Sequence, residues 1–127
     1  MEASRLTSIP LFAGLADADL AAVAETAYEV EASPGEKLAT ERDFGYALYA
    51  IESGTADVTA EGVQLRTLGP GDVFGEIAQI ASGRRTASVV ATSPMKLIAL
   101  FKRDVWALEK NAPEVATRLR SLIAERR

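Results

Sequence analysis

From Tyr28 onward the chain is cut by closely spaced turn signals, and this constrains its fold more than any other feature. They fall at Pro34-Gly35, Asp43-Phe44-Gly45, Ser53-Gly54, Glu61-Gly62, Gly69-Pro70-Gly71 and Ser93-Pro94. The first five lie 8 to 10 residues apart, the spacing of an all-β barrel or sandwich. Glycine at such corners supplies backbone angles that a Cβ would penalise. Between the turns lie short strand-like runs. Ala56, Val58 and Ala60 alternate with Thr55, Asp57 and Thr59, which predicts one buried and one wet face. Tyr46 to Ile51 and Met95 to Phe101 are more continuously apolar.

The two ends follow another period. Leu20, Val23, Ala24 and Ala27 fall at i, i+3, i+4 and i+7, one face of a helix. Asp17 and Asp19 sit near its start, where acidic groups suit the positive end of the dipole. Ile9, Leu11, Phe12 and Leu15 precede it and are expected to pin it to the next layer. At the other end, Lys102 to Lys110 carries Val105, Trp106 and Leu108. Asn111-Ala112-Pro113 breaks that pattern, because proline disfavours helix in the residue before it and suits a helix start. Val115, Leu119, Leu122 and Ile123 then recur at i, i+4, i+7 and i+8.

The 127 residues suit one domain with one core. The expected division is helical over 9–27, a β-roll over 28–101 and two helices over 102–127. The fold class is mainly β with flanking helices, an α+β jelly-roll-like β-roll. Hydrophobic residues at 48% and charged residues at 25% place the chain among ordinary globular proteins rather than disordered or fibrous ones. The apolar runs are far shorter than the roughly 20 residues of a membrane span. Met1 to Pro10 lacks the basic start and apolar run of a signal peptide. With no cysteine there is no disulfide framework, which fits a cytoplasmic setting. With no histidine, a zinc centre or a Ser-His or Cys-His nucleophile is implausible. A net charge of −4 argues against broad nucleic-acid affinity, although one anionic ligand depends on local charge alone.

One stretch breaks the strand rhythm. Gly75 to Ser82 contains Ile77, Ala78, Ile80 and Ala81, a short helical pattern, followed by Gly83, Arg84 and Arg85 before strand resumes at Thr86. The first amides of a helical turn lack partners and form an anion site. Arg85, 10 residues past Gly75, can fold back over that spot with a guanidinium fork that matches two phosphate oxygens. Glu76 is an odd neighbour for an anion unless hydroxyl donors satisfy it, and a ribose 2′-OH is such a donor. Phosphate, ribose and an apolar pocket together describe a nucleotide.

Phe74-Gly75-Glu76-Ile77-Ala78, joined to Arg85-Thr86-Ala87-Ser88-Val89 and preceded by the Gly69-Pro70-Gly71-Asp72 turn, resembles the phosphate-binding cassette of the cyclic-nucleotide-binding domain family. That family includes kinase A regulatory subunits, the bacterial catabolite activator protein and cyclic-nucleotide-gated channels. The Glu-to-Arg separation of nine resembles the kinase and channel branches, and Gly83 to Val89 is similar to hyperpolarisation-activated channels. The resemblance covers nearly the whole chain, with the cassette at 74–89.

The resemblance implies a role for each matching residue. Arg85 would hold the exocyclic oxygens of a cyclic phosphate, assisted by the amides of Ala78, Thr86 or Ala87. Glu76 would accept from the ribose 2′-OH, and Gly75 and Ile77 would let the backbone approach the sugar. Val58, Leu68, Val73 and Phe74 are candidates for the apolar wall under the base. The implied ligand is cAMP or cGMP, with no cofactor, no metal and no catalysis. Signalling would proceed by closure of the last helix toward an effector protein or domain, with no nucleic acid bound by this domain itself and no membrane.

Several bland readings stand beside these. Glu76 and Arg85 could form only a structural ion pair. Arg84 reads as a solvated neighbour and Trp106 as core. Thr86 has two readings of equal weight, a hydroxyl for the guanine amino group or simple strand propensity. Arg118, Arg120, Arg126 and Arg127 read as a solvated helix face, although Arg118, Arg120, Leu122 or Ile123 could cap a base. No effector domain is visible, which leaves a stand-alone sensor, a sensor fragment of a larger catabolite-activator-like transcription regulator or channel, or a degenerate β-roll acting only as an interaction module. A cupin-type enzyme is disfavoured by the missing histidines.

Overall fold

The structure is a computed structural model and describes residues 1–39, 47–74, 88–101 and 110–126. The turn-rich middle forms strands β1 (Tyr28–Ala32), β2 (Lys37–Ala39), β3 (Ala47–Ser53), β4 (Ala56–Ala60), β5 (Val63–Leu68), β6 (Val73–Phe74), β7 (Ser88–Ala91) and β8 (Met95–Phe101). They pair antiparallel in two sheets, ordered β1-β8-β3-β6 and β2-β7-β4-β5. Two 3₁₀ turns, Ala3–Ser8 and Pro10–Phe12, precede helix α1 (Asp17–Thr26), and helix α2 (Pro113–Arg126) follows the sheets. This is the mainly-β roll with flanking helices that the turn spacing predicts.

Two turns show why the strands end where they do. Glu61 and Gly62 join β4 to β5 with φ of 52° and 79°. Two successive positive φ values match the twist of a tight hairpin. Gly54 joins β3 to β4 with φ of 93°, and a Cβ there would lie 2.4 Å from the Pro94 carbonyl oxygen. Only glycine fits such an approach.

The difference in apolar patterning has a structural cause. Along β3, Tyr49 and Ile51 face the second sheet, whereas Leu48 and Ala50 face the helices. Along β8, Met95 and Leu97 belong to the inter-sheet cluster and Ile98 and Leu100 to the helical one. The inner strands of the first sheet are therefore buried on both faces, and β3 and β8 are apolar without strict alternation, whereas the edge strand β1 is largely exposed. The second sheet is covered on one face only, so β4 alternates: Ala56 and Val58 are buried and Asp57 is half-exposed.

The helical cluster joins Leu6, Ile9, Phe12, Leu15, Leu20 and Val23 to Leu48, Ile98 and Val115. Leu20, Val23 and Ala24 are buried as their spacing predicts, and Asp17 and Asp19 occupy the first turn of α1. The helical stretch expected over 9–27 is interrupted. Pro10–Phe12 forms a 3₁₀ turn, Gly14 turns the chain at φ of 74°, and the α-helix begins only at Asp17. A proline cannot continue an α-helical ladder and a glycine at that angle stops one. α2 starts at Pro113, where the proline predicts a helix start. The other expected closing helix, over 102–110, lies largely outside the described residues.

Candidate functional site

The segment singled out by the sequence bridges the two sheets. Upstream it leaves β6, whose Phe74 and Val73 pair with Tyr49 and Ala50 of β3. Downstream it returns through β7, where Ser88 and Val89 pair with Thr59 and Val58 of β4. Gly75, Glu76, Ile77, Ala78, Arg84, Arg85, Thr86 and Ala87 lie outside the described residues, as does Trp106. What the structure does describe is the frame at both ends.

That frame is one buried cluster. Phe74, Val58, Leu68 and Val89 share it with Ile51, Ala56 and Leu97, all less than a tenth exposed. The structure thus brings together three of the residues expected to wall an apolar pocket: Val58, Leu68 and Phe74. It does not bring Val73 to them. Val73 packs in the helical cluster with Leu48, Ala50 and Ile98. Neighbouring strand residues point to opposite faces, so Val73 and Phe74 cannot line the same wall. The Phe74 ring stacks on Tyr49 with centroids 5.1 Å apart and 23° between planes.

The turn that feeds β6 is fastened in several places. The Asp72 carboxylate accepts from the Gly69 amide at 2.8 Å, and the Asp72 amide donates to the Gly69 carbonyl at 3.0 Å. The Gly71 amide donates to the Ile51 carbonyl, and the Ile51 amide to the Asp72 carbonyl. Asp72 is thereby the structural acid of the Gly-Pro-Gly-Asp turn, and β3 is the strand against which that turn is set.

Two arginines near the chain ends, Arg5 and Arg118, have definite partners. Arg118 on α2 donates to the carbonyls of Leu11 and Ala13 and approaches Glu114 at 3.4 Å. The solvated or base-capping role expected of Arg118 is corrected: its guanidinium fastens α2 to the N-terminal 3₁₀ turn. Arg5 grips Glu52 with two hydrogen bonds, 2.9 Å from Nε and 2.6 Å from Nη2, and also contacts Glu29. The hydrogen bonds from Arg5 hold the Glu52 carboxyl below the usual carboxylate range, against a smaller opposing effect of burial. Arg5 is raised above its ordinary value, chiefly by the same hydrogen bonds. An open hollow lined by Arg5, Glu29, Glu52 and Lys96 lies along this charged strip.

Sequence reasoning missed Tyr49, Arg5 and Glu52. Tyr49 stood inside an apolar run with no motif around it. Arg5 and Glu52 are 47 positions apart, and no local pattern joins them. Among the described residues no cluster of acidic, histidine or cysteine side chains could hold a metal ion, and no helix is long and apolar enough to cross a membrane.

The cyclic nucleotide-binding domain family model matches residues 29–111. The "Cyclic AMP receptor protein" of Thermus thermophilus is 39% identical over 123 residues, which is 92% of this chain and 56% of that protein. The "cAMP-dependent protein kinase regulatory subunit" of Yarrowia lipolytica is 37% identical over 90 residues, 71% of this chain and 24% of that protein. Among solved structures, the catabolite activator protein of Thermus thermophilus superposes with a TM-score of 0.84 at 35% identity, over 92% of this chain and 57% of that one. The chain thus spans a little over half the length of the bacterial relative and about a quarter of the kinase subunit.

Proposed function

Because the chain belongs to the cyclic nucleotide-binding domain family, we propose that it is a sensor for cAMP, with cGMP as the competing ligand, and that it performs no catalysis of its own. Its regulatory kind is that of the cyclic AMP receptor protein and of kinase regulatory subunits. The observation that carries the reading is the family match over 29–111, which includes every residue of the Phe74 to Val89 motif. The cluster of Phe74, Val58, Leu68 and Val89, which frames both ends of that motif, supports it.

In this reading Arg85 pairs with the exocyclic phosphate oxygens and Glu76 accepts from the ribose 2′-OH. Backbone at Gly75, Ile77, Ala78, Thr86 and Ala87 approaches the sugar-phosphate, and Val58, Leu68 and Phe74 supply apolar surface for the base. Signalling is a population shift: ligand favours the state in which the C-terminal helical segment closes over the site, to the extent that it binds the two states with different affinity. The output passes to an effector protein or domain.

Titration calorimetry with cAMP, cGMP and 5′-AMP tests the reading. At least one cyclic nucleotide is expected to bind at micromolar concentration or below, and 5′-AMP far more weakly. Arg85→Ala removes a charge-assisted contact of about 1.5–3 kcal/mol and should weaken binding about tenfold or more. Equal heats for the variant and the parent would remove the site assignment. Thr86→Ala should weaken cGMP more than cAMP if the Thr86 hydroxyl reads guanine; equal losses mean that it does not.

A second reading, in which the domain is the sensing half of a longer transcription regulator, rests on the match to the Thermus thermophilus protein, of which the chain spans 56%. The mass of the native gene product separates the two.

A further inference from the structure

We infer that Tyr49 is a positioning residue for the cyclic-nucleotide site, acting through Phe74 to set where the segment 75–87 begins. The inference rests on the site proposed above, but on a residue of β3 that belongs to none of its motifs.

β6 is two residues long, and its register with β3 consists of Tyr49 opposite Phe74 and Ala50 opposite Val73. Backbone hydrogen bonds joining Gly71 and Asp72 to Ile51 fasten the upstream end of so short a strand, which leaves the Tyr49–Phe74 cross-strand pair to hold its downstream end, since cross-strand pairs are units of sheet stabilisation. The last pair before Gly75 is the aromatic one. Its rings are 5.1 Å apart and nearly parallel at 23°, within the range where ring pairs add attraction beyond the area they bury.

Phe74 is buried in the same cluster as Val89, the second residue of β7. It therefore touches a core fed from both ends of the ligand-binding segment: β6 in one sheet and β7 in the other. Tyr49 packs against the margin of this cluster and is only half-buried. Removing its ring uncovers one face of Phe74 while leaving the fully buried members in place. A shift of Phe74 moves the residue covalently joined to Gly75 and next but one to Glu76. Sub-ångström placement of such groups decides binding strength when the ligand is small and held by a few polar contacts.

The test is calorimetric titration of cAMP and cGMP into the parent, Tyr49→Phe and Tyr49→Leu, with the melting temperature of each in the absence of nucleotide. Tyr49→Phe keeps the stack and is expected to bind within about twofold of the parent. Tyr49→Leu keeps apolar bulk without the ring. At a temperature where it is fully folded, it is expected to bind about three- to tenfold more weakly, because binding must then restore a Phe74 position that the stack otherwise holds, at a cost comparable to an aromatic pair's contribution. Tyr49→Met carries the same expectation if the leucine variant does not fold. A folded leucine or methionine variant with parental affinity overturns the inference, whatever its melting temperature. Failure of both to fold makes Tyr49 a plain core residue and overturns it too. A parent that binds neither nucleotide fails the proposed function instead, so the two failures are distinct.

Discussion

Arg5 reaches Glu52 across 47 positions of sequence with a two-point grip, the geometry in which a guanidinium best matches a carboxylate. Because this contact lowers the Glu52 pKa in the folded state, its stabilisation is present above the ordinary carboxylate pKa of about 4.5 and is lost as pH falls through the depressed folded value. The raised pKa of Arg5 changes nothing in this range, since arginine stays charged. Arg5→Ala should therefore lower the melting temperature modestly at neutral pH, and the gap to the parent should close in acid. A gap that persists unchanged at about pH 3 contradicts this. Arg118 works chiefly on neutral partners, the carbonyls of Leu11 and Ala13, beside a longer contact of 3.4 Å to Glu114. Arg118→Ala should cost about 1 kcal/mol in urea unfolding, below the usual range for a charge-assisted bond because the side chain is partly exposed. Arg118→Lys should recover part of it, and the loss should not titrate with Glu52.

The turns and strands are the elements on which the roll depends. Gly54 sets the corner between β3 and β4, where Pro94 and Met95 close in on it. Gly54→Ala meets both a disfavoured φ and a backbone oxygen at 2.4 Å, and neither can yield cheaply. It should cost about 2 kcal/mol or more, read as a fall in the urea midpoint. A loss within about 0.5 kcal/mol would show that the corner rearranges freely. Gly62→Ala, in the exposed hairpin with no neighbour within 4 Å, should cost less because only the φ is strained. The alternation of β4 was readable because one face of its sheet is wet. The apolar runs of β3 and β8 could be read as strands but not assigned a face, because both faces are buried.

At the scale of the whole molecule, binding and folding are linked. A cyclic nucleotide present at about 100 times its Kd should stabilise the domain by ~2.7 kcal/mol, provided the unfolded chain binds none. The parent should show this in thermal melts, and Arg85→Ala, binding about tenfold or more weakly, should show about 1.4 kcal/mol or less at the same concentration. A rise of equal size in both would mean that the nucleotide binds elsewhere.

Turn spacing, helix starts and the Phe74 to Val89 motif are local facts, written in neighbouring residues. They determined the roll, its flanking helices and the family from the amino-acid order alone. The motif was legible because its residue types recur at short fixed separations, as the proposed grip on a phosphate and a sugar would require. Tertiary structure alone decided which face the residues of β3, β6 and β8 present, and so put Phe74 with Val58 and Leu68 while turning Val73 toward the helices. It also decided that Arg118 fastens the two ends of the chain, which lie 107 and 105 positions apart at that contact. Such pairings depend on how layers stack after the local elements have formed, and no stretch of neighbouring residues carries that information.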